Sequence, residues 1–400
     1  MLSLDAALRR LLAHAAPTTA ESVDLADAAG RVLADPRIVA AVDVPSFDNS
    51  AMDGYAVRAA DTPGTLALAG EVTAGMAALP AVAAGTAVRI MTGAPMPPGA
   101  DAVVPIEEAE EGDATVELAR AEPGAHVRVA AHDTRGGDEI CVPGELSPPK
   151  IALLASLGLG AVDVRRRPVV AVLSTGDELV GVGEVLGPNQ VHDANGVALA
   201  AAVREVGGEA LLLPRARDDA AEIERVLVDA AQRADLVVTS AGVSVGRHDH
   251  VRGVLESRGT LDFWRIAIQP GKPLAVGELA GTTVIGLPGN PVSALVVFEL
   301  FVRPFLRTML GLSGDGRLHL RATSEGRIGK DPRRRAFLRV HAWHEDGVVH
   351  ARAAGGQQSS QLRPLADGNA LLVVPEGEDA AIPGVSYEAI VLEPIALTGR

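Results

Sequence analysis

Four hundred residues carry 36 Lys and Arg against 51 Asp and Glu, a formal charge of −15, with 48% hydrophobic side chains in runs that Gly, Pro or charge interrupt before a bilayer span is reached. The length calls for several domains, the acidity disfavours nucleic acid and membranes as partners, and an anionic ligand would need a local positive site. One cysteine, Cys141, excludes an internal disulfide and a thiolate metal cluster, which leaves it a structural or, less readily, a catalytic part.

The chain opens on MLSLDAALRRLLAHAAP, an amphipathic helix with Leu4, Leu8, Leu11 and Leu12 on one side and neither the apolar stretch nor the cleavage site of a signal peptide, so a cytoplasmic protein is expected. Residues 40–150 are dense in Gly and Pro around short β-type runs such as GTAVRIMTG and ADAVVPIEE, a small β-rich module. KIALLASLG reads as a helix. From Arg167 the pattern changes: PVVAVLSTGDEL, EALLLPRARDD, ADLVVTSAGVSVG and TTVIGLPGNPVSA are apolar on both faces, as strands of a parallel sheet must be. Helical stretches separate them (VALAAAVREVGG, AAEIERVLVDAAQRA) or follow them (VSALVVFELFVRPFLRTMLG). This is the β-α-β alternation of a doubly wound parallel-sheet domain over residues 168–312. Beyond 313, short strands such as LLVVPEG and YEAIVLE form a separate β-domain. The arginine runs at 165–167 and 333–335 read as solvated faces.

Ligands of open α/β sheets sit beyond the C-terminal ends of the strands, so the residues that end each apolar run are the candidates. The first end is Ser174, Thr175, Gly176, Asp177 and Glu178; the second is Arg217, Asp218 and Asp219. The third runs from Ser240 to Asp249 and includes Gly242, Ser244 and Gly246; the fourth is the loop with Pro288, Gly289, Asn290, Pro291 and Ser293. Gly- and Ser-rich turns that enter helices present backbone amides to phosphate, and carboxylates at the first two ends suit a hydrated Mg²⁺ bridging such phosphates. Alone, each turn is more often only a tight turn; several on one sheet edge with acids beside them favour a phosphate site. GxGxxG and GxxxxGK[ST] are both absent. The RHDH stretch at 247–250 could hold a transition metal, but no third strong ligand is identifiable, and a phosphate or Mg²⁺ role for Asp249 is preferred. The segment 43–58, DVPSFDNSAMDGYAVR, is too elaborate for a connector and is not assignable from physics alone.

In this order, DVPSFDNSAMDGYAVR, RIMTGAPMPPGADAVVP, STGDEL, SAGVSVG, QPGKP and GLPGNPVSA closely resemble the molybdopterin molybdenumtransferases, the family that includes the gephyrin E domain. The resemblance implies an α/β multidomain homodimer that takes adenylylated molybdopterin and molybdate, assisted by Mg²⁺, and yields molybdenum cofactor and AMP. Other molybdenum-cofactor enzymes would be further partners. It implies a doubly wound pterin-nucleotide-binding domain at 168–312, with the helix of residues 1–20 packed on it. An elongated linker domain would comprise 21–39 and 138–167, a β-rich domain 40–137, and a C-terminal β-barrel-like domain 313–400. By motif, Asp53 and Thr92 would reach into the partner's site, and Glu178, Asp218 and Asp249 would hold the metal. Lys272 would hold an anion, either molybdate or the pterin phosphate; Pro288 and Pro291 would shape the loop approaching molybdate; Arg339 and Ser359 would contact the oxyanion. This chain departs from the pattern at Ala241, where a Gly is expected, and at Arg247 and His248. Arg265 and Gln269 stand where many members have a Lys, so Gln269 removes a charge that Arg265 or Arg247 would have to restore. A related adenylyltransferase would not need the segment around Asp53, and a gephyrin-like scaffold would need an additional N-terminal domain.

Overall fold

The computed structural model describes residues 1–217, 219–241 and 250–395, the side chain of Phe263 excepted. These form two compact units, residues 22–164 and residues 1–21 with 165–400. Among the described residues no helix is long and apolar enough to cross a membrane.

In the first unit, a six-stranded sheet orders Ala102–Pro105, Gly54–Val57, Thr86–Ile90, Gly64–Val72, Thr115–Leu118 and Ala109–Glu111. Successive side chains alternate between its faces: Tyr55, Val57 and Val104 enter one core, Ala56, Val88 and Val103 the other. Gly54 is obligatory there, because a Cβ would lie 2.0 Å from the Val104 carbonyl oxygen of the neighbouring strand. A third core joins Leu25, Ala28 and Leu33 to Val142, Leu146, Leu154 and Val164, with the helix Pro148–Ser156 supplying Leu154. Cys141 ends a three-residue strand, Glu139–Cys141, and is exposed, so it is no core residue.

The second unit begins with helix α1 (Leu4–Leu12), capped by the Ser3 hydroxyl, which accepts from the Ala6 N–H. Ala7 and Leu11 are fully buried in the core of the following α/β layer. That layer is a six-stranded sheet made of β1 (Val169–Ser174), β2 (Glu209–Leu212), β3 (Leu236–Ser240), β4 (Thr260–Arg265), β5 (Pro273–Leu279) and β6 (Thr282–Leu287). The order is β2-β1-β3-β6-β5-β4. Helices α2 (Ala194–Glu205), α5 (Pro291–Val297) and α6 (Arg303–Met309) pack with α1 on one face, while α3 (Ala220–Arg233) and α4 (His250–Arg258) cover the other. The expected doubly wound parallel sheet is present as β2, β1, β3 and β6. β5 and β4 extend it to a mixed sheet through two antiparallel pairings, β6 with β5 and β5 with β4. The cause is local: Ala280 (φ 51°) and Gly281 (φ 84°) make a two-residue hairpin turn with positive φ at both positions, which reverses the chain between β5 and β6.

The C-terminal strands β7 (His319–Ser324), β8 (Arg335–Glu345), β9 (Val348–Ala353), β10 (Ala370–Val374) and β11 (Ser386–Val391) close into a barrel in the order β8-β9-β7-β11-β10, β10 pairing back to β8. Leu338, Val340, Leu372 and Ala389 fill it. The barrel is joined to the α/β layer through Ile268–Gln269, which pairs with β8 at Arg335 and Ala336. The arginine runs are more than solvated faces. Arg166 grips Asp235 with two nitrogens at 2.9 and 2.7 Å, while Arg333 and Arg334 both bind Asp331 and Arg335 pairs with Glu376.

Candidate functional site

Strand order reverses direction between β1 and β3, where the connections run outward from β1 to β2 on one side and from β3 to β4, at the far edge, on the other, and such a switch point leaves a crevice beyond the strand ends. Ser174 and Ser240, the last residues of β1 and β3, are register partners there. The crevice is a cavity of about 510 Å³ lined by Thr175, Glu178, Leu179, Asn195, Ser240, Ala241, Pro273, Pro288, Gly289, Asn290 and Ser293. Three of the four expected strand ends thus meet on one cavity. Gly176 and Asp177 line an adjoining recess with Arg215 and Arg217.

The wall is built from helix starts. Ser174 donates to Asp193 Oδ1 at 2.9 Å, and Asp193, the N-cap of α2, accepts from the Gly196 N–H at the same oxygen. A Cβ on Gly196 would sit 2.6 Å from the Asp193 carboxylate, so glycine is required for the helix to start this close to β1. Asn195, one residue earlier, donates from Nδ2 to Ser240 Oγ and to the Gly289 carbonyl, each at 2.7 Å. Asn195 was not among the residues singled out from sequence; its signal was an Asp two residues before it at the head of a helical run, which marks a helix start rather than a ligand site. Gly176, at φ 145°, could not carry a Cβ without meeting the Glu178 carboxylate. Ala241 stands at φ 72°, a conformation that favours glycine.

The other expected residues are placed as follows. Asp218, Gly242, Ser244, Gly246, Arg247, His248 and Asp249 lie outside the described residues, and among the described residues no group of three His, Cys, Asp or Glu side chains could hold a metal. Asp219 caps α3, accepting from the Glu222 N–H at 2.8 Å. Lys272 and Arg265 are exposed and do not line the cavity, although Pro273, beside Lys272, does. Gln269 accepts from the Asp331 N–H at 3.0 Å, so its amide is engaged at the join with the barrel. Ser359 accepts from Asn290 Nδ2 at 3.1 Å and reaches the cavity edge through that residue. Arg339 is buried inside the barrel strand β8 with no carboxylate partner among the described residues. Its Nη2 donates to the Gly356 and Gln358 carbonyls, its Nε is unpaired, and burial pulls the guanidinium down to about 10. It therefore shapes the loop that carries Ser359. Pro291 opens α5 at a position where its missing N–H costs nothing.

In the first unit, Asp53 and Thr92, 39 residues apart, are bonded: Asp53 Oδ1 accepts from the Thr92 N–H at 2.6 Å and from Thr92 Oγ1 at 2.8 Å. The backbone donor, followed by the hydroxyl, holds the carboxyl below its ordinary value. Around the pair the turns are stitched together, Gly93 N–H to Ser50 O and Ile106 N–H to Asp53 O. Exposed Phe47, Met52, Met91 and Ile106 belong to the same turns.

Residues 2–158 match the family model "MoeA N-terminal region (domain I and II)", residues 171–308 "Probable molybdopterin binding domain", and residues 321–392 "MoeA C-terminal region (domain IV)". The chain is 41% identical over 370 residues to molybdopterin molybdenumtransferase 2 of Mycobacterium tuberculosis, covering 89% of this chain and 91% of that one. It is 38% identical to the molybdopterin molybdenumtransferase of Haemophilus influenzae, covering 98% of each. The crystal structure of a molybdopterin biosynthesis MoeA protein from Pyrococcus horikoshii superposes with a TM-score of 0.84 at 33% identity, over 98% of this chain and 100% of that one.

Proposed function

Because the chain belongs to the molybdopterin molybdenumtransferase family, we propose that it inserts molybdate into adenylylated molybdopterin, hydrolysing the phosphoanhydride and releasing AMP, at the cavity beyond β1 and β3. The observation that carries this reading is the convergence of Thr175, Glu178, Ser240 and the 288–293 loop on one crevice at the switch point of the sheet. Hydroxyls and loop amides suit the phosphates, and a cavity of about 510 Å³ lies in the range of small-molecule sites.

Glu178 brings a carboxylate to the wall of an anion site. Such a group is electrostatically consistent with the substrate only if a cation stands between them, and hard carboxylate oxygen suits Mg²⁺. Glu178, with Asp218 and Asp249, would hold it, and bound Mg²⁺ would neutralise charge on the phosphoanhydride oxygens. Thr175 and Ser240 orient the phosphates by donation, and the 288–293 loop borders the end of the cavity toward Ser359. Exposed Lys272 and Arg265, the first beside the cavity-lining Pro273 and the second its register partner, provide the positive potential that draws molybdate to a protein of charge −15, while Arg339 acts through the loop that carries Ser359.

The exposed Asp53 and Thr92 pair, set among exposed Phe47, Met52, Met91 and Ile106, supports a homodimer in which the pair completes the partner's site: the apolar side chains lose water on contact while the carboxylate is delivered already ionised. A cytoplasmic location fits both substrates. Incubating the purified chain with adenylylated molybdopterin, molybdate and Mg²⁺ tests the reading; AMP and active cofactor should appear together, and absence of AMP release would refute it.

A further inference from the structure

We infer that Asn195 is a positioning residue that makes this cavity compatible with an anion, by holding the Gly289 carbonyl and by occupying Ser240 as an acceptor so that its O–H is left to donate to the ligand. The inference deepens the reading above and names the residue on which phosphate acceptance by the cavity depends.

The geometry determines the amide's orientation. Gly289 O can only accept, so the Asn195 atom 2.7 Å away must be Nδ2, and the same nitrogen lies 2.7 Å from Ser240 Oγ. Both amide hydrogens are thereby used. Two consequences follow for a ligand carrying negative charge. A backbone carbonyl in the wall of an anion site repels the anion, and Asn195 satisfies this one. A hydroxyl that already accepts a hydrogen bond has its own O–H left for donation, so Ser240 is set to donate to a phosphate oxygen. Asn195 reaches both groups because α2 is anchored at its start, Asp193 bonding Ser174 on β1 and the Gly196 N–H in the helix. One side chain thus coordinates the end of β3 and the 288–293 loop from the head of α2.

Asn195→Asp is the sharpest test, since it keeps the shape and reverses the chemistry. The carboxylate cannot donate to Gly289 O, takes the Ser240 hydrogen for itself and adds a negative charge to the wall. With AMP as the probe, titrated calorimetrically against the full-length chain, N195D should bind at least about tenfold more weakly than wild type at pH 8. As the pH is lowered the new carboxyl protonates and regains a donor, so the ratio of the two dissociation constants should fall toward one. Asn195→Ala removes the donors without adding charge, and its smaller loss should hardly change with pH. If N195D does not fold, a cycle with N195A and Ser240→Ala decides: N195A should cost less affinity when Ser240 is already gone. N195D binding within twofold of wild type at pH 8, a loss in N195D that matches N195A at every pH, or additive N195A and S240A effects would each overturn the inference. Wild type that binds AMP but does not release it from adenylylated molybdopterin would sink the preceding reading and leave this one standing; wild type that binds no AMP would sink this one.

Discussion

One oxygen of Asp53 accepts twice from Thr92, from its backbone N–H at 2.6 Å and its hydroxyl at 2.8 Å, and this carboxylate is open to solvent. Both bonds favour the charged form, so the native pKa lies below the unfolded one. The stabilisation is therefore present above the unfolded pKa and disappears as the pH falls through the native value. Thr92→Val deletes the hydroxyl and keeps the N–H. Its Asp53 carboxyl, followed by carbon NMR, should titrate higher than in wild type yet still below an ordinary aspartate; an unmoved titration would show that the hydroxyl contributes nothing.

Shared sites make a separate prediction. If Asp53 serves the partner subunit's cavity, an Asp53→Ala chain and a Glu178→Gln chain are each inactive, yet a heterodimer has one intact site of two. Random exchange makes half the dimers mixed, and activity should recover to about a quarter of wild type. The assay is AMP release after subunit exchange verified by mass spectrometry, and verified heterodimers without activity would end the shared-site proposal.

Ala241 and Gly289 should be coupled in stability. Ala241 sits at φ 72°, and a Cβ placed on Gly289 would lie 3.3 Å from the Ala241 Cβ. Ala241→Gly relieves a left-handed alanine but loosens the unfolded chain, for a net gain of about 0.5–1 kcal/mol. Gly289→Ala should be destabilising in wild type and milder in the Ala241→Gly background. Urea denaturation of the four proteins gives the coupling, and simple additivity would show that the two positions do not crowd each other.

Gln269 carries two opposed expectations. A lysine there adds a cation near the suspected molybdate path, worth about 1 kcal/mol or several-fold in the molybdate concentration for half-maximal cofactor formation. It also removes the acceptor of the Asp331 N–H, at a cost in stability of about 1 kcal/mol. Gln269→Lys should thus lower both the molybdate midpoint and the melting temperature, and Arg265→Ala should raise the midpoint at fixed ionic strength. Should neither variant move the midpoint, molybdate is held elsewhere, with Lys272 the first residue to test.

Sequence alone carried whatever is encoded locally. Runs apolar on both faces announced β1, β2, β3 and β6, and the Gly- and Ser-rich turns after them marked the strand ends that line the cavity. The amphipathic pattern of residues 4–12 announced α1. Tertiary structure decided which of these ends meet and what else joins them. The Ala280 and Gly281 turn sets β5 antiparallel to β6, a reversal set by two backbone angles that an apolar run does not display. Asn195 reaches Gly289 across 94 positions and Thr92 reaches Asp53 across 39, bonds that local pattern cannot encode because their partners become neighbours only when the strands pair. Likewise Gln269 reads as a neutral residue at a charged site until its amide is seen on the Asp331 N–H. Periodicity reports the face a residue presents to the core, whereas a polar contact depends on distances between elements, which only the assembled sheet supplies.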